Sequence, residues 1–182
     1  MTNGTKVTKR DGKNEPLDLN KLHVMVDEAC TDLAGVSASQ VEMQSGIQFY
    51  DGITTAEIQE ILIRSASDLI DLDHPNYQFV AARLLLFVLR KQLYGRMHEV
   101  PSVKQHTEQC IGRGVYDAEI LNLYNDEEFD KLQSFIDHDR DYLFTYAGLR
   151  QVVDKYLVQD RSSNTVYETP QFMYLLIAAT IF

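Results

Sequence analysis

The chain has 182 residues, of which 45% are apolar and 24% charged. This length suits one domain, or a small domain with part of a second, and the composition excludes wholesale disorder. Its 17 Lys and Arg against 27 Asp and Glu give a net charge of −10, which excludes a general binder of nucleic acid or anionic membranes, because phosphate contacts need excess basic residues. Cys30 and Cys110 form no zinc pattern and no disulfide framework, and no signal peptide is visible, so we expect a cytoplasmic protein.

A β-hairpin is predicted at the start of the chain. Asp11-Gly12 is a strong two-residue turn signal because both positions favour positive φ, and short strands Thr5–Lys9 and Asn14–Leu17 would flank it. Asp18 follows as a helix N-cap, with apolar residues at helical spacing as far as Leu33. Gly35 would close this first helix.

Three more helices are predicted before residue 95. The second starts at Ser37 and runs to Asp51-Gly52, and the third starts after a capping box, Thr54 to Glu57. The fourth, Asn76–Tyr94, is nearly apolar between Phe79 and Leu89, which indicates a central position. Short loops predict that neighbouring helices pack antiparallel. Residues 1–95 therefore form a first domain, a hairpin with four helices.

A boundary is predicted near Gly95–Pro101, and residues 96–182 form a second, helical segment. Tyr156–Gln159 and Thr165–Glu168 frame a polar loop and indicate a second hairpin, after which Thr169-Pro170 opens a final helix. The other predicted helices of this segment cover residues 102–112, 117–124, 126–136 and 141–156.

The stretch Phe172–Phe182 is the longest apolar run, shorter than the roughly 20 residues that span a bilayer. It is predicted to be helical up to the last residue, with no Gly, basic turn or polar tail. We therefore expect a piece of a longer protein, cut within a buried helix. The alternative is a C-terminal helix docked in the core.

Residues 1–23 carry a local charge of +2, from the acidic residues Asp11, Glu15 and Asp18 and from the basic residues Lys6, Lys9, Arg10, Lys13 and Lys21. A small basic end on an acidic chain suits a compact anion such as a nucleoside triphosphate, although charge alone favours ordinary surface lysines. No Gly-x-x-x-x-Gly-Lys loop occurs. A phosphate site would need separate side chains and helix N-termini, such as those at residues 18–22 and 54–58.

The string Asp137–Asp141 suggests either metal ligation or a charged cap on the helix that Asp141 would start. Consecutive residues point in different directions, so the cap is favoured and no metal site is predicted. The remaining histidines are scattered, and the residues form no nucleophile–His–acid set. Cys30 lies on an apolar helix face and is interpreted as packing.

Two groups of motifs resemble the large subunit of ribonucleotide reductase. The strings Val7–Gly12, Glu15 and Leu19–Leu22 resemble the opening of an ATP-cone, the nucleotide-binding regulatory domain at the N-terminus of many such subunits. The match continues through Ile47–Gly52 with Thr54-Thr55, residues 73–77, 81–84 and 89–91, and Tyr94-Gly95. Residues 135–141, 144–146, 155–158 and 167–172 look like the segment that leads into the catalytic barrel of the aerobic, class I chain.

The resemblance covers essentially the whole chain and implies a mainly α fold. A small β-hairpin would cap a four-helix bundle in the ATP-cone, residues 1–95. Residues 96–182 would be a helical segment with a second hairpin, leading into an α/β barrel that the sequence lacks. The family's catalytic cysteines lie downstream of Phe182, so no catalytic residue is predicted and the chain alone should be inactive.

The resemblance also implies a regulatory function. ATP would activate and dATP inhibit from one site, with Mg²⁺ and without a redox cofactor in this part. Lys9 and Lys91 would hold phosphates beside Arg10, and residues 15–21 would line the nucleoside and ribose. The residues assigned to this site are Val7, Lys9, Arg10, Glu15, Pro16, Leu17, Asp18, Leu19, Asn20, Lys21, Leu22, Thr55, Ile58, Gln59 and Lys91.

Gln59 departs from the family, whose dATP-inhibited members often carry His there. Thr55 and Gln59 are four residues apart and share a helix face. Glutamine keeps hydrogen bonding but carries no proton, so either dATP inhibition is weakened or the exchange is neutral.

The implied partners are the remainder of the large subunit, a second large subunit and the radical-generating small subunit, with no nucleic acid and no membrane. The parent reaction reduces a ribonucleoside diphosphate at the 2′ carbon. Two alternatives stay open: a stand-alone ATP-cone protein acting as a nucleotide-responsive binding module, and one half of a split reductase chain.

Overall fold

A computed structural model describes residues 5–9, 12–46 and 48–181. The fold is mainly helical, as predicted, and divides into two compact units. The first unit holds the described residues as far as Leu85 together with Phe144–Ala147, and the second holds Leu86–Leu143 with the described residues from Gly148 onwards. This division falls within the fourth helix, and the boundary near residue 95 stays a prediction.

The first unit begins with a three-stranded sheet. Strands β1 (Lys6–Thr8) and β2 (Asn14–Pro16) form the predicted hairpin, with Val7 opposite Glu15. Gly12 adopts φ +81° in the turn, where the absence of a Cβ removes the steric cost, whereas Asp11 lies outside the described residues. A strand that the sequence did not predict, β3 (Ile53–Thr54), pairs with β1 in parallel, giving the order β2-β1-β3.

Helix α1 (Leu19–Cys30) begins at the predicted N-cap Asp18, whose carboxylate accepts from the N–H groups of Asn20 and Lys21. The helix ends at Cys30, before the predicted Leu33, because the chain turns at Asp32 into a left-handed conformation with φ +59°.

Helix α2 (Ala38–Gly46) stops well before Asp51-Gly52, so the prediction of a helix reaching that pair is wrong. Ile47, part of that prediction, lies outside the described residues. The physical reason is pairing with β1: the Lys6 amide donates to Asp51 Oδ1 at 2.8 Å, and the Gly52 amide donates to the Lys6 carbonyl at 2.9 Å.

Helix α3 (Thr55–Asp68) carries the predicted capping box, and α4 (Tyr77–Tyr94) matches its prediction closely. Within the first unit α2 packs against α1 and α3. The Arg83 guanidinium of α4 donates to the carbonyls of Ala29 and Thr31, at 3.2 and 2.6 Å, which holds α4 to the end of α1. The largest fully buried apolar side chains here are Ile53, Leu62, Ile63, Tyr77 and Leu84.

The second unit continues from the later part of α4 through short helices. A 3₁₀ helix (His138–Leu143) precedes α8, and β4 (Gln159–Asp160) pairs with β5 (Thr165–Val166) in the predicted second hairpin. Its helices are α5 (Val103–Gly112), α6 (Ile120–Leu123), α7 (Asp126–Gln133), α8 (Tyr146–Lys155), whose first two residues belong to the first unit, and α9 (Pro170–Ile181), with Phe182 outside the described residues. Its apolar core is built on Val103, Ile120, Phe129, Phe172 and Leu176.

The predicted helix over 141–156 is present as α8, but its predicted start at Asp141 and the charged cap there are wrong. Asp141 belongs to the 3₁₀ helix, and α8 begins only at Tyr146. The Asp141 carboxylate faces the interior and pairs with the Arg90 guanidinium at 3.3 Å, with both side chains almost fully buried. A cap needs its carboxylate on the first amides of its own helix, and this carboxylate is committed elsewhere.

Candidate functional site

The hairpin brings three predicted site residues to one face of the sheet. Val7 and Glu15 are directly opposite each other, so their side chains share a face, and Lys9, two residues after Val7, has the same orientation. Val7 is buried, and the Lys9 ammonium lies 3.4 Å from the Glu15 carboxylate. The buried Val7 side chain thus lies on the same face of the sheet as the partly exposed ion pair between Lys9 and Glu15.

Strand β3 carries the start of α3 to the same edge of the sheet as Lys9. Thr8 pairs with Thr54, and the Thr8 hydroxyl donates to the Gly52 carbonyl at 3.1 Å. Because β1 and β3 run parallel, their carboxyl ends lie at one edge. Lys9 follows one strand there, and Thr55 opens the helix that follows the other.

The first two turns of α3 contribute both apolar and polar groups. Thr55 is half-buried, whereas Ile58 and Gln59 are buried, with 2% and 6% of their surface exposed. Gln59 Oε1 is buried and accepts no hydrogen bond from any described residue. A buried acceptor without a donor costs about 1–3 kcal/mol, so this carbonyl oxygen favours a ligand that donates to it.

The N-termini of α3 and α1 are already capped by the side chains of their N-cap residues, Thr54 and Asp18. The Thr54 hydroxyl accepts from the Glu57 amide, and the Glu57 carboxylate accepts from the Thr54 amide at 2.9 Å. The Thr54 hydroxyl also donates to the Glu57 carboxylate at 2.7 Å, and this bond, followed by those from the Thr54 amide and the Tyr50 hydroxyl, holds the pKa of Glu57 below its usual range. Asp18 caps α1 with its carboxylate alone, which accepts from the Asn20 and Lys21 amides. Phosphates at this sheet would therefore depend on lysine side chains more than on free helix amides.

The segment from Pro16 to Leu22 runs from the end of β2 into the first turns of α1. It starts at the opposite edge from Lys9, where the Leu17 amide donates to the Thr5 carbonyl at 2.9 Å. Its side chains are exposed apart from half-buried Leu17 and Leu22. Strands of three residues span only about 10 Å, so one nucleotide is long enough to reach both edges.

For two of the predicted phosphate ligands, Arg10 and Lys91, the structure shows no position beside Lys9 and the start of α3. Arg10 lies outside the described residues, and Lys91 lies exposed in the last turn of α4, in the second unit. Their roles stay predictions from the resemblance.

Sequence reasoning missed a buried polar network in the second unit. The Arg90 guanidinium donates to the His138 carbonyl at 2.8 Å as well as pairing with Asp141. Burial raises the pKa of Asp141 to about 6 and lowers the pKa of His138 to about 4. No single motif marks this network, because Arg90 comes from α4 and its partners lie about fifty residues later. Within the described ranges no three His, Cys, Asp or Glu side chains are arranged to hold a metal ion.

A second buried polar group surrounds His106. Its ring stacks on Phe172 with centroids 4.1 Å apart and planes within 6°. The ring nitrogen Nε2 lies 3.3 Å from the Tyr116 hydroxyl, which in turn donates to Glu168. Burial lowers the pKa of His106 to about 4, so the neutral imidazole is the form that the fold accommodates.

Comparisons with known proteins match both parts of the chain. Residues 5–92 match the ATP cone domain, and residues 142–182 match the all-alpha domain of ribonucleotide reductase. No described helix is long and apolar enough to cross a membrane.

Curated relatives match from end to end of this chain. It is 48% identical over 182 residues to ribonucleoside-diphosphate reductase 1 subunit alpha of Escherichia coli, and 47% identical to the protein of that name in Salmonella typhimurium. It is 45% identical to the subunit alpha of Haemophilus influenzae. Each match covers 100% of this chain and 24% of the relative, so the chain spans about a quarter of their length. The chain thus carries an ATP cone domain over residues 5–92 and a match to the all-alpha domain of ribonucleotide reductase over residues 142–182, and along its whole length it is similar to the N-terminal region of ribonucleoside-diphosphate reductase alpha subunits.

Proposed function

We propose that this chain is the nucleotide-sensing N-terminal portion of a ribonucleoside-diphosphate reductase large subunit, and that it binds ATP or dATP, with Mg²⁺, in its ATP-cone. The observation that carries the proposal is the shared sheet edge of Lys9 and the α3 N-terminus, inside the region matched by the ATP cone domain.

Each group at that edge has a role in the proposed complex. The Lys9 ammonium exchanges the Glu15 carboxylate for a phosphate oxygen, because triphosphate carries more charge than one carboxylate. Val7 and Ile58 contact the base from the buried side, with Leu22 across the sheet. Gln59 Oε1, which lacks a donor among the described residues, accepts a hydrogen bond from the nucleoside. Lys91 and Arg10 join the phosphate site on the strength of the resemblance.

The reaction proposed for the whole subunit is reduction of ribonucleoside diphosphates at the 2′ carbon. In this proposal, residues 1–182 do not carry out that reaction. Burial raises the pKa of both Cys30 and Cys110 to about 11, so neither thiol is poised to ionise. The chain's contribution is allosteric, and the partners that it informs are the rest of the large subunit, a second large subunit and the radical-generating small subunit. Both cysteines are free thiols, in keeping with a cytoplasmic site of action.

The test is calorimetric titration of the full chain with ATP and with dATP in the presence of Mg²⁺. We expect saturable binding of both, weakened about tenfold or more by Lys9→Ala and by Lys91→Ala. If Lys9→Ala abolishes nucleotide binding and Lys91→Ala leaves it unchanged, the binding site lies within the first unit. Absence of heat with either nucleotide, on a chain that circular dichroism shows to be folded, would refute the sensing function.

Regulation also needs ATP and dATP to favour different states of the subunit. A nucleotide that binds two states with equal affinity does not change the populations of those states. Gln59→His, which restores the residue common in dATP-inhibited relatives, tests this point. An increased preference for dATP over ATP is expected if Gln59 weakens inhibition, and unchanged affinities would make the exchange neutral.

A further inference from the structure

The segment Tyr50–Gly52 joins the hairpin to α3, although the predicted site residues do not include it. It directly precedes β3, and Gly52 adopts φ +86°, a conformation that favours glycine. All three of its residues are exposed, so apolar burial does not hold the segment in place. Its position therefore depends on the hydrogen bonds that it makes.

Two consecutive residues of this segment bond to the backbone of Lys6 in β1. The Asp51 carboxylate accepts from the Lys6 amide at 2.8 Å, and the Gly52 amide donates to the Lys6 carbonyl at 2.9 Å. The ladder between β1 and β3 contains only two residue pairs. These two bonds to Lys6 are therefore a large part of what holds the strands together.

Tyr50 connects the same segment to α3. Its hydroxyl donates to Glu57 Oε1 at 2.8 Å, while Glu57 Oε2 accepts from the Thr54 amide at 2.9 Å. The segment is thus bonded on one side to the strand that Lys9 follows, and on the other to the helix that carries Gln59.

We propose that Asp51 is a positioning residue for nucleotide binding: its carboxylate holds β3 on β1 and so keeps Lys9 and the start of α3 at one sheet edge. This inference rests on the proposed function, because it concerns the same site. Asp51 lies at the amino ends of the two strands, away from the edge that Lys9 follows, so it acts through the strands and not by contact with phosphate.

The effect on affinity follows from the population of paired strands. When β3 separates from β1, Lys9 and Gln59 no longer face one ligand. The measured Kd equals the intrinsic Kd divided by the fraction of chains in which the site is assembled. Weaker pairing of β1 with β3 therefore raises the Kd for ATP.

Charge and geometry predict opposite effects of removing this carboxylate. Through its charge alone Asp51 repels a triphosphate, so Asp51→Ala would tighten binding. Through geometry, loss of the bond to the Lys6 amide weakens binding. Asp51→Asn removes the charge but keeps an acceptor oxygen for that amide, so it separates the two contributions.

The experiment is calorimetric titration of the full chain and three variants with ATP and Mg²⁺. We expect Asp51→Ala to raise the Kd about fivefold or more, and Asp51→Asn to leave it within about twofold. Asp71→Ala is the matched control, because the exposed Asp71 carboxylate also accepts from backbone amides, those of Asp73 and His74 between α3 and α4. It should leave the Kd within about twofold, and thermal melts report the fold of each variant.

Hydrogen exchange of the Gly52 amide provides a measurement that a purely structural role of Asp51 would not change. Because this amide bonds to the Lys6 carbonyl, its exchange rate reports the opening of β3 from β1. ATP should slow this exchange at least about threefold in the original chain, since binding and strand pairing favour each other. The Phe79 amide, which bonds to the Asn76 carbonyl at the start of α4, is the control and should change less.

Three results would overturn the positioning role while leaving the proposed function standing. They are an unchanged or lower Kd in Asp51→Ala, an equal rise in Kd for Asp51→Asn and Asp51→Ala, and a Gly52 amide that exchanges equally with and without ATP. The exchange measurement uses the original chain, so it decides the question even if Asp51→Ala does not fold. Failure of the original chain to bind ATP would instead refute the sensing function on which this inference rests.

Discussion

Lys9 and Glu15 face each other on one side of the hairpin, with Nζ and Oε2 3.4 Å apart. Their side chains are 37% and 51% exposed, so the pair contributes no more than about 1 kcal/mol. An incoming phosphate can therefore replace the carboxylate at little cost. In the proposed complex the Glu15 carboxylate stays on the same face of the sheet, where it would accept a hydrogen bond from a hydroxyl of the nucleotide.

The first prediction concerns which face of β1 binds the nucleotide. Lys9→Ala should raise the Kd for ATP about tenfold, as loss of a charge-assisted contact does. Lys6→Ala is the matched control, because strand alternation turns Lys6 to the opposite face of the sheet. It should change the Kd less than twofold in the same titration. Equal effects of the two variants would mean that Lys9 acts only through the net charge of the hairpin.

The second prediction concerns the orphaned oxygen of Gln59. Gln59→Met keeps a similar volume and removes both polar atoms, so the free energy of unfolding without nucleotide should rise by about 1 kcal/mol. ATP binding should weaken several-fold because the proposed hydrogen bond is lost. Urea denaturation and calorimetry measure the two effects. A variant that binds ATP as tightly as the original chain would remove Gln59 from the site.

The third prediction concerns the buried Arg90–Asp141 pair. Asp141→Asn should cost about 3–5 kcal/mol at pH 7.5, because it leaves the guanidinium buried without its anion. The raised pKa of Asp141, about 6, means that this carboxyl is mostly protonated at pH 5, so the cost should be smaller there. Urea denaturation at both pH values measures the difference.

The control for that pair is an exposed one. Asp154→Asn breaks the pair between Arg150 and Asp154 on α8, whose groups lie 3.4 Å apart at 39% and 49% exposure. Its cost should stay within about 0.5 kcal/mol at either pH. A comparable loss from both variants would argue that burial does not set the strength of the Arg90 pair.

The fourth prediction concerns acid stability and His106. Its pKa is lowered to about 4 in the fold and lies near 6.5 in the unfolded chain, so the unfolded chain binds more protons between these values. The free energy of unfolding should therefore fall as pH decreases from 6.5 to 4. His106 contributes up to roughly 3 kcal/mol of that fall, at about 1.4 kcal/mol per pH unit.

His106→Phe isolates this contribution, since phenylalanine preserves the stack on Phe172 and cannot titrate. His138 and Asp141 also titrate across this window, in opposite directions, and both remain in the variant. The difference between the two chains should thus grow as the pH falls. Parallel pH dependences of the two chains would assign the acid sensitivity to other groups.

Local signals in the sequence predicted the helix and hairpin boundaries best. Asp18 and the Thr54–Glu57 box predicted the starts of α1 and α3 because a cap depends on residues only two or three apart. Pro170 predicted the start of α9 for the same local reason. A helix cap depends on residues that are close in sequence, so a short stretch of sequence is enough to predict it.

Two errors came from long-range contacts. Strand β3 exists because β1, some 45 residues earlier, pairs with it, and two residues carry no strand pattern of their own. The charged string around Asp141 indicates a helix cap, yet the partner of Asp141 is Arg90, 51 residues away in the sequence. Neither contact produces a periodic pattern or a motif in the sequence from which it could be predicted.

The sequence by itself determined the helical class, both hairpins and the resemblance to the reductase alpha subunits, since these follow from local periodicity, turn chemistry and motif strings. Only the tertiary structure decided that Lys9 and the start of α3 share a sheet edge, that Glu168 is buried, and that Gln59 Oε1 is buried without a hydrogen-bond donor among the described residues. These depend on which distant segments pack together, and burial, not residue type, sets the energy of each polar group.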